Sequence, residues 1–223
     1  MTYPLDRKLV VEFIGMFIFV FTVGMATNTA GAGPLAPLAI GSVLMVLVFS
    51  GGHISGGHFN PAVSTAIFVR GRMNSTEWVA YMATQLIAAV IAGLVVRAVG
   101  GHQSAAHVAS SGKILVAEFV FTFALAWVVL NVATARGTLG NSFYGLAIGF
   151  TVVAGAYAVG GISGGVFNPA IAVGGMVTGL FEWSHIWVYW IAEFLGAAVA
   201  AVLFLYVLPS EKFAGDVEAG SAD

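Results

Sequence analysis

Residues 52–62 read GHISGGHFNPA and residues 160–170 read GGISGGVFNPA. The two stretches agree at nine of eleven positions, differing only at His53 against Gly161 and His58 against Val166. Asn168 follows Asn60 by 108 residues, and the same offset places Ala39-Ile40-Gly41 on Ala147-Ile148-Gly149, Gln85 on Glu193 and Gly71 on Gly179. Glu12 in VVEFIG meets Glu118 in VAEFVF at a nearby offset of 106, so the duplication reaches the first apolar run of each half. Self-similarity on this scale marks a fold assembled from two copies of one unit.

The surroundings of that fold are lipid. Hydrophobic residues make up 59% of the 223 positions, charged residues 8%, and the mean hydropathy is +0.97. Six apolar stretches, near 8–29, 36–52, 77–99, 113–133, 142–160 and 184–208, suit a hydrocarbon layer about 30 Å thick, which takes about 20 helical residues. Their length and lack of alternation predict helices rather than barrel strands, so the fold class is an all-α membrane protein. Arg7 and Lys8 ahead of Leu9–Val23 have the look of a cleaved leader, but Glu12 within the run and its partner at Glu118 make the segment the first span. Three spans per half is an odd number, so the second half is expected to sit inverted in the membrane. The chain reads as one channel domain over 1–223, with one repeat half near 8–99, the other near 113–208, and 209–223 as a disordered acidic tail. Arg7, Lys8, Arg70, Arg72, Arg136 and Lys212 fall on one side, Arg97 and Lys113 on the other. That bias predicts cytoplasmic termini, in the inner or plasma membrane of a cell.

The same composition excludes several classes. A net charge of -2 from 8 Lys+Arg and 10 Asp+Glu offers no basic surface to nucleic acid. Zero Cys removes disulfides and thiolate chemistry, the His spacing makes no metal pattern, and no nucleophile–base–orienter set points to an enzyme. No cofactor is implied.

Between the second and third spans of each half lies a segment too short to cross. Asn60–Arg70 ends at Gly71 and Asn168–Thr178 ends at Gly179, each with Asn as N-cap, Pro at the first helical position and Gly just past the end. At about 1.5 Å rise per residue each covers about 16 Å, half the hydrocarbon thickness. Two half-helices entering from opposite faces meet N-terminus to N-terminus at the midplane. The preceding Ser55-Gly56-Gly57 and Ser163-Gly164-Gly165 backbone must then line a wet cavity, because its carbonyls cannot face lipid. An N-cap Asn spends its oxygen on its own helix, which leaves the side-chain NH2 donors of Asn60 and Asn168 to face that lumen. A water held by both would point its protons outward and break a proton wire. Each half-helix adds about half a positive charge at the same level, which repels cations.

The paired boxes Asn60-Pro61-Ala62 and Asn168-Pro169-Ala170 resemble the hallmark of the aquaporin, or major intrinsic protein, family, and the resemblance runs over residues 8–208. It implies six transmembrane helices plus two re-entrant half-helices, a pore in each subunit and a homotetramer in the bilayer. It also implies passive passage of water and small uncharged solutes, glycerol or ammonia among them, with protons and ions excluded. The four positions that line the narrowest zone in the family fall, by that resemblance, on Ile40, Ala156, Gly165 and Ile171. Here the sequence departs from strict water channels, which carry Arg where Ile171 stands and often an aromatic residue and a His opposite. A wider, more apolar filter is expected.

The remaining polar residues near the loops have a structural reading. Glu12 and Glu118, matched across the repeat, are expected to accept hydrogen bonds from the loop amides, since unsatisfied amides are costly away from water. His53 and His58, which have no counterpart at Gly161 and Val166, are expected to brace the first loop. Three readings compete with the broad channel: a water-selective channel, an ion-coupled secondary transporter with broken helices, and a junction protein without conductance. A transporter would need a charged site at the midplane, where the paired side chains are two neutral Asn.

Overall fold

The computed structural model of the chain describes residues 3–106 and 108–213. Within them the order is α1 (Leu5–Ala26), α2 (Ala36–Ser55), α3 (Pro61–Val69), α4 (Ser75–Gly100), α5 (Ser111–Val129), α6 (Tyr144–Ser163), α7 (Pro169–Thr178) and α8 (Ile186–Val207), with no strand among the described residues. Six of these are long and apolar enough to cross a membrane, and α3 and α7 are the two short ones. Six crossings put both ends of the described chain on one face.

Capping chemistry sets the helix ends. The Asn74 side chain accepts the Glu77 N–H at 2.9 Å and starts α4. Pro37 lies in the first turn of α2, where its missing N–H is not needed. Helices α2 and α6 stop alike, at Gly56 with φ 91° and Gly164 with φ 92°, a left-handed conformation that a Cβ would oppose. Apolar content alone placed the first span three residues too late, because Pro4 already starts α1 and Thr27 turns its hydroxyl back onto Val23 O at 2.8 Å to end it. Likewise α2 continues three residues past the expected 52 until it meets Gly56.

In each half the first and last spans pack together, α1 with α4 and α5 with α8, and α2 crosses α6 between the halves. That crossing is tight. A Cβ on Gly41 would lie 2.5 Å from Gly149 O, and one on Gly149 would lie 2.5 Å from Gly41 O. Reciprocal contact between residues 108 apart is what a twofold relation of inverted halves produces. The small residues Ala88, Ala92, Gly196 and Ala200 are buried in the same kind of seam, and a Cβ on Gly196 would come 2.6 Å from Phe119 O. Large apolar side chains such as Val10, Leu94, Val116 and Val202 are exposed on the outside of the bundle, where lipid would meet them.

The tail needs a correction. Residues Pro209–Phe213 form a 3-10 turn in which Glu211 is buried, its Oε2 2.6 Å from Arg70 Nη2 and its Oε1 accepting the Arg136 N–H at 2.7 Å. A buried Arg at the end of α3 attracts the acid out of solvent, which a count of charges and small residues does not foresee. The rest of that predicted disordered tail, 214–223, lies outside the described residues.

Candidate functional site

Helices α3 and α7 each begin on an Asn that folds back over its own first turn. Asn60 Oδ1 accepts from Ala62 N at 2.8 Å and Val63 N at 3.3 Å, and Asn168 Oδ1 accepts from Ala170 N at 3.0 Å and Ile171 N at 3.4 Å. The two caps are then cross-tied. Asn60 Nδ2 donates to Phe167 O at 2.8 Å, and Asn168 Nδ2 donates to Phe59 O at 2.8 Å. One N–H of each amide is therefore committed to the opposite loop, and one remains, where the sequence had left both free. The cross-ties fix the two half-helices tip to tip with Pro61, Ala62, Pro169 and Ala170 buried behind them.

Phe59 and Phe167 hold positive φ angles of 44° and 50°, a region that costs a non-glycine residue about 1–3 kcal/mol. Their surroundings over-determine them. The Phe59 N–H donates to Glu12 Oε2 at 2.7 Å and its carbonyl takes Asn168, while the Phe167 N–H donates to Glu118 Oε2 at 2.6 Å and its carbonyl takes Asn60. Glu12 also receives His58 N at 2.9 Å, Ser55 Oγ at 2.7 Å and Gln85 Nε2 at 2.9 Å, and Glu118 receives Val166 N at 3.0 Å. Both carboxyls thus sit where loop amides converge. The His58 ring lies 3.1 Å from Ser64 Oγ by its Nδ1, within the same network. His53 does not brace the loop. Because α2 runs on to Ser55, His53 falls in its last turn, exposed, with no hydrogen bond among the described residues.

Sequence reasoning missed Tyr81 and Tyr189, whose hydroxyls donate to Ser55 O at 2.7 Å and Ser163 O at 2.5 Å and hold the ends of α2 and α6. Phe59 with Phe167, Ser55 with Ser163 and Tyr81 with Tyr189 all share the 108 offset. That offset was the signal that could have found them.

Three cavities follow one another through the bundle. On the side of the chain ends, a cavity of about 310 Å³ is walled by His53, Gly56, Tyr144 and the segment around Thr138–Asn141. At the Asn layer, Asn60 and Asn168 share a neck of about 20 Å³ with Phe19, Leu44, Val63 and Ile148, room for about one water. Beyond it a cavity of about 410 Å³ opens, and Ile40, Ala156, Gly165 and Ile171 all line it, with Phe19 and Val152 shared between neck and cavity. The four filter candidates share this one cavity, and the smallest of the three cavities lies one layer deeper. Ala156 and Gly165 leave space, and Ile171 projects no long polar group across it.

This arrangement has known relatives. The sequence matches the Major intrinsic protein family over residues 2–206. The chain belongs to the major intrinsic protein family. Among the aquaporins it resembles, probable aquaporin TIP1-2 of Oryza sativa subsp. japonica is 40% identical over 217 residues, covering 89% of this chain and 85% of the relative. Aquaporin TIP4-2 of Zea mays is 36% identical, with 89% and 83% covered. The fold also superposes on the X-ray structure of the aquaglyceroporin from Plasmodium falciparum with a TM-score of 0.78 at 20% identity, covering 93% of this chain and 99% of that one. As a member of the aquaporin family the chain is a multi-pass membrane protein of a channel type rather than an enzyme type. The TIP relatives lend no support to the expected inner or plasma membrane.

Proposed function

We propose that this aquaporin-family chain is a passive channel for water and for small neutral solutes larger than water, and that it excludes protons and ions. The observation that carries the wider range is the outer cavity of about 410 Å³, whose four filter positions are Ile40, Ala156, Gly165 and Ile171. No guanidinium fixes donors there, so a solute such as glycerol, ammonia or peroxide meets width in place of a charged clamp. The lining is apolar, which withholds hydrogen bonds from a dehydrating solute and slows water relative to an Arg-lined filter of equal width.

Exclusion belongs to the Asn layer. The remaining N–H of Asn60 and of Asn168 favours a water oxygen over a cation, and the tips of α3 and α7 each contribute about half a positive charge. A water passing the neck that Asn60 and Asn168 share gives its oxygen to their N–H groups and points its protons outward, which breaks the proton wire there. Cytoplasmic termini and association into a homotetramer complete the proposal, following the basic-residue bias and the family pattern.

The test is Ile171→Arg in liposomes. The new side chain enters the outer cavity, so glycerol and peroxide flux should fall roughly tenfold or more, the effect of about 1.4 kcal/mol of added barrier, while water flux persists. Unchanged solute flux in a folded variant would remove Ile171 from the filter.

A further inference from the structure

Glu193 is an acid that the pore leaves unused. It lies on α8 and is fully buried. Its Oε1 accepts the backbone N–H of Asn168 at 2.9 Å, and its Oε2 is sealed from solvent without a hydrogen-bond partner among the described residues. Glu118, on α5, takes the two preceding amides, Val166 and Phe167, one on each oxygen. Three consecutive amides aimed at two carboxyls make those carboxyls neighbours. Thr122 Oγ1, one turn beyond Glu118, is likewise sealed and unpartnered, and it faces α8 one turn from Glu193, where a Cβ on Gly196 would come 3.4 Å from Thr122 Cβ. The Tyr189 hydroxyl, the other titratable group on this stretch of α8, is committed to Ser163 O.

The first half carries no second acid at this place. Gln85 occupies the position 108 residues before Glu193 and donates to Glu12 Oε2 at 2.9 Å and Ser64 Oγ at 3.1 Å. Two adjacent carboxylates in a dry seam, with one oxygen lacking any donor, would cost far more than one, and breaking up such a pair by a proton removes the cost. A carboxylic acid is also the nearest neutral equivalent of the Gln that the repeat places opposite: one acceptor and one donor on a planar group.

We propose that Glu193 is a neutral carboxylic acid that positions the second Asn-Pro-Ala segment, its carbonyl oxygen holding the Asn168 N–H and its proton on Oε2. The consequence for exclusion rests on the pore reading above. An ionised Glu193 would offset the positive end of α7 at Asn168, whereas the neutral acid holds the backbone and leaves that charge to oppose cations.

Infrared difference spectroscopy of the purified protein in lipid at neutral pH reads this proton directly, with no flux measured, so its failure is separate from failure of the pore. The expected result is an acid carbonyl band in the wild type that is lost in Glu193→Gln and retained in Glu118→Gln. Loss with Glu118→Gln and retention in Glu193→Gln would overturn the assignment. Wild-type protein carrying isotope-labelled glutamate carboxyls guards against a variant that fails to fold: absence of any labelled acid band contradicts the proposal without a mutation.

Discussion

Glu12 offers two oxygens to four donors, the amides of His58 and Phe59, the Ser55 hydroxyl and the Gln85 amide. Removing it strands all four, at about 1–3 kcal/mol for each donor that water does not reach. Glu12→Ala is therefore expected to lose at least about 3 kcal/mol, and Glu12→Gln, which keeps one acceptor oxygen, to lose clearly less. Denaturation of the detergent-solubilised protein measures both, and equal losses for the two variants would end the bracing account. Part of this was legible in the sequence, because an acid inside an apolar run has few explanations and Glu12 and Glu118 recur across the repeat. The left-handed Phe59 and Phe167 were not, since nothing in their identity announces a positive φ. Their conformation follows from what surrounds them: an amide taken by a carboxyl and a carbonyl taken by the opposite Asn. His53 was misplaced for a related reason. A loop residue and a last-turn helix residue differ only by where the left-handed Gly falls.

Elements with strong end signals were the legible ones. Asn-Pro at the start and Gly at the end wrote α3 and α7 into the sequence within a residue, whereas the ends of α1 and α2, read from apolar content, moved by about a turn once caps were known. The segment after α8 was misread because acidic composition reports solvation on average and not the one partner that overrides it. Arg70 lies over the Phe204 ring at 5.0 Å and donates to Thr134 O at 2.8 Å, so its charge is held in place by contacts other than Glu211. Burial pushes the Glu211 carboxyl up, but the Arg136 amide and the Arg70 guanidinium outweigh it and leave the group below the usual carboxylate range. A carboxyl lowered in the folded state contributes stability that is present above its unfolded value, about 4.3, and fades as pH falls through the folded one. Glu211→Ala should cost about 3 kcal/mol near neutrality, because it leaves a buried guanidinium without its acid, and the difference from wild type should shrink on acidification below about pH 4. A pH-independent difference in melting would show that the ion pair is not what holds the turn.

At the scale of the molecule, two inverted copies of one unit make a symmetric frame with an asymmetric lining. The frame is carried by residues that match, Gly41 with Gly149, Asn60 with Asn168 and Tyr81 with Tyr189, and for that reason it was legible from the offset alone. The lining is carried by residues that do not match, such as His58 against Val166, and by cavity sizes that depend on how eight helices pack. Only the resemblance to aquaporins located Ile40, Ala156, Gly165 and Ile171, and their common cavity emerged with the fold. The most direct test of a neutral-solute pore is stopped-flow measurement on liposomes containing the unmodified protein, with water, glycerol, ammonia and peroxide compared against proton and sodium leak. The expected result is faster passage of water and of at least one larger neutral solute than in empty liposomes, with ion leak unchanged. Solute flux equal to that of empty liposomes, or flux that requires an ion gradient, would contradict it.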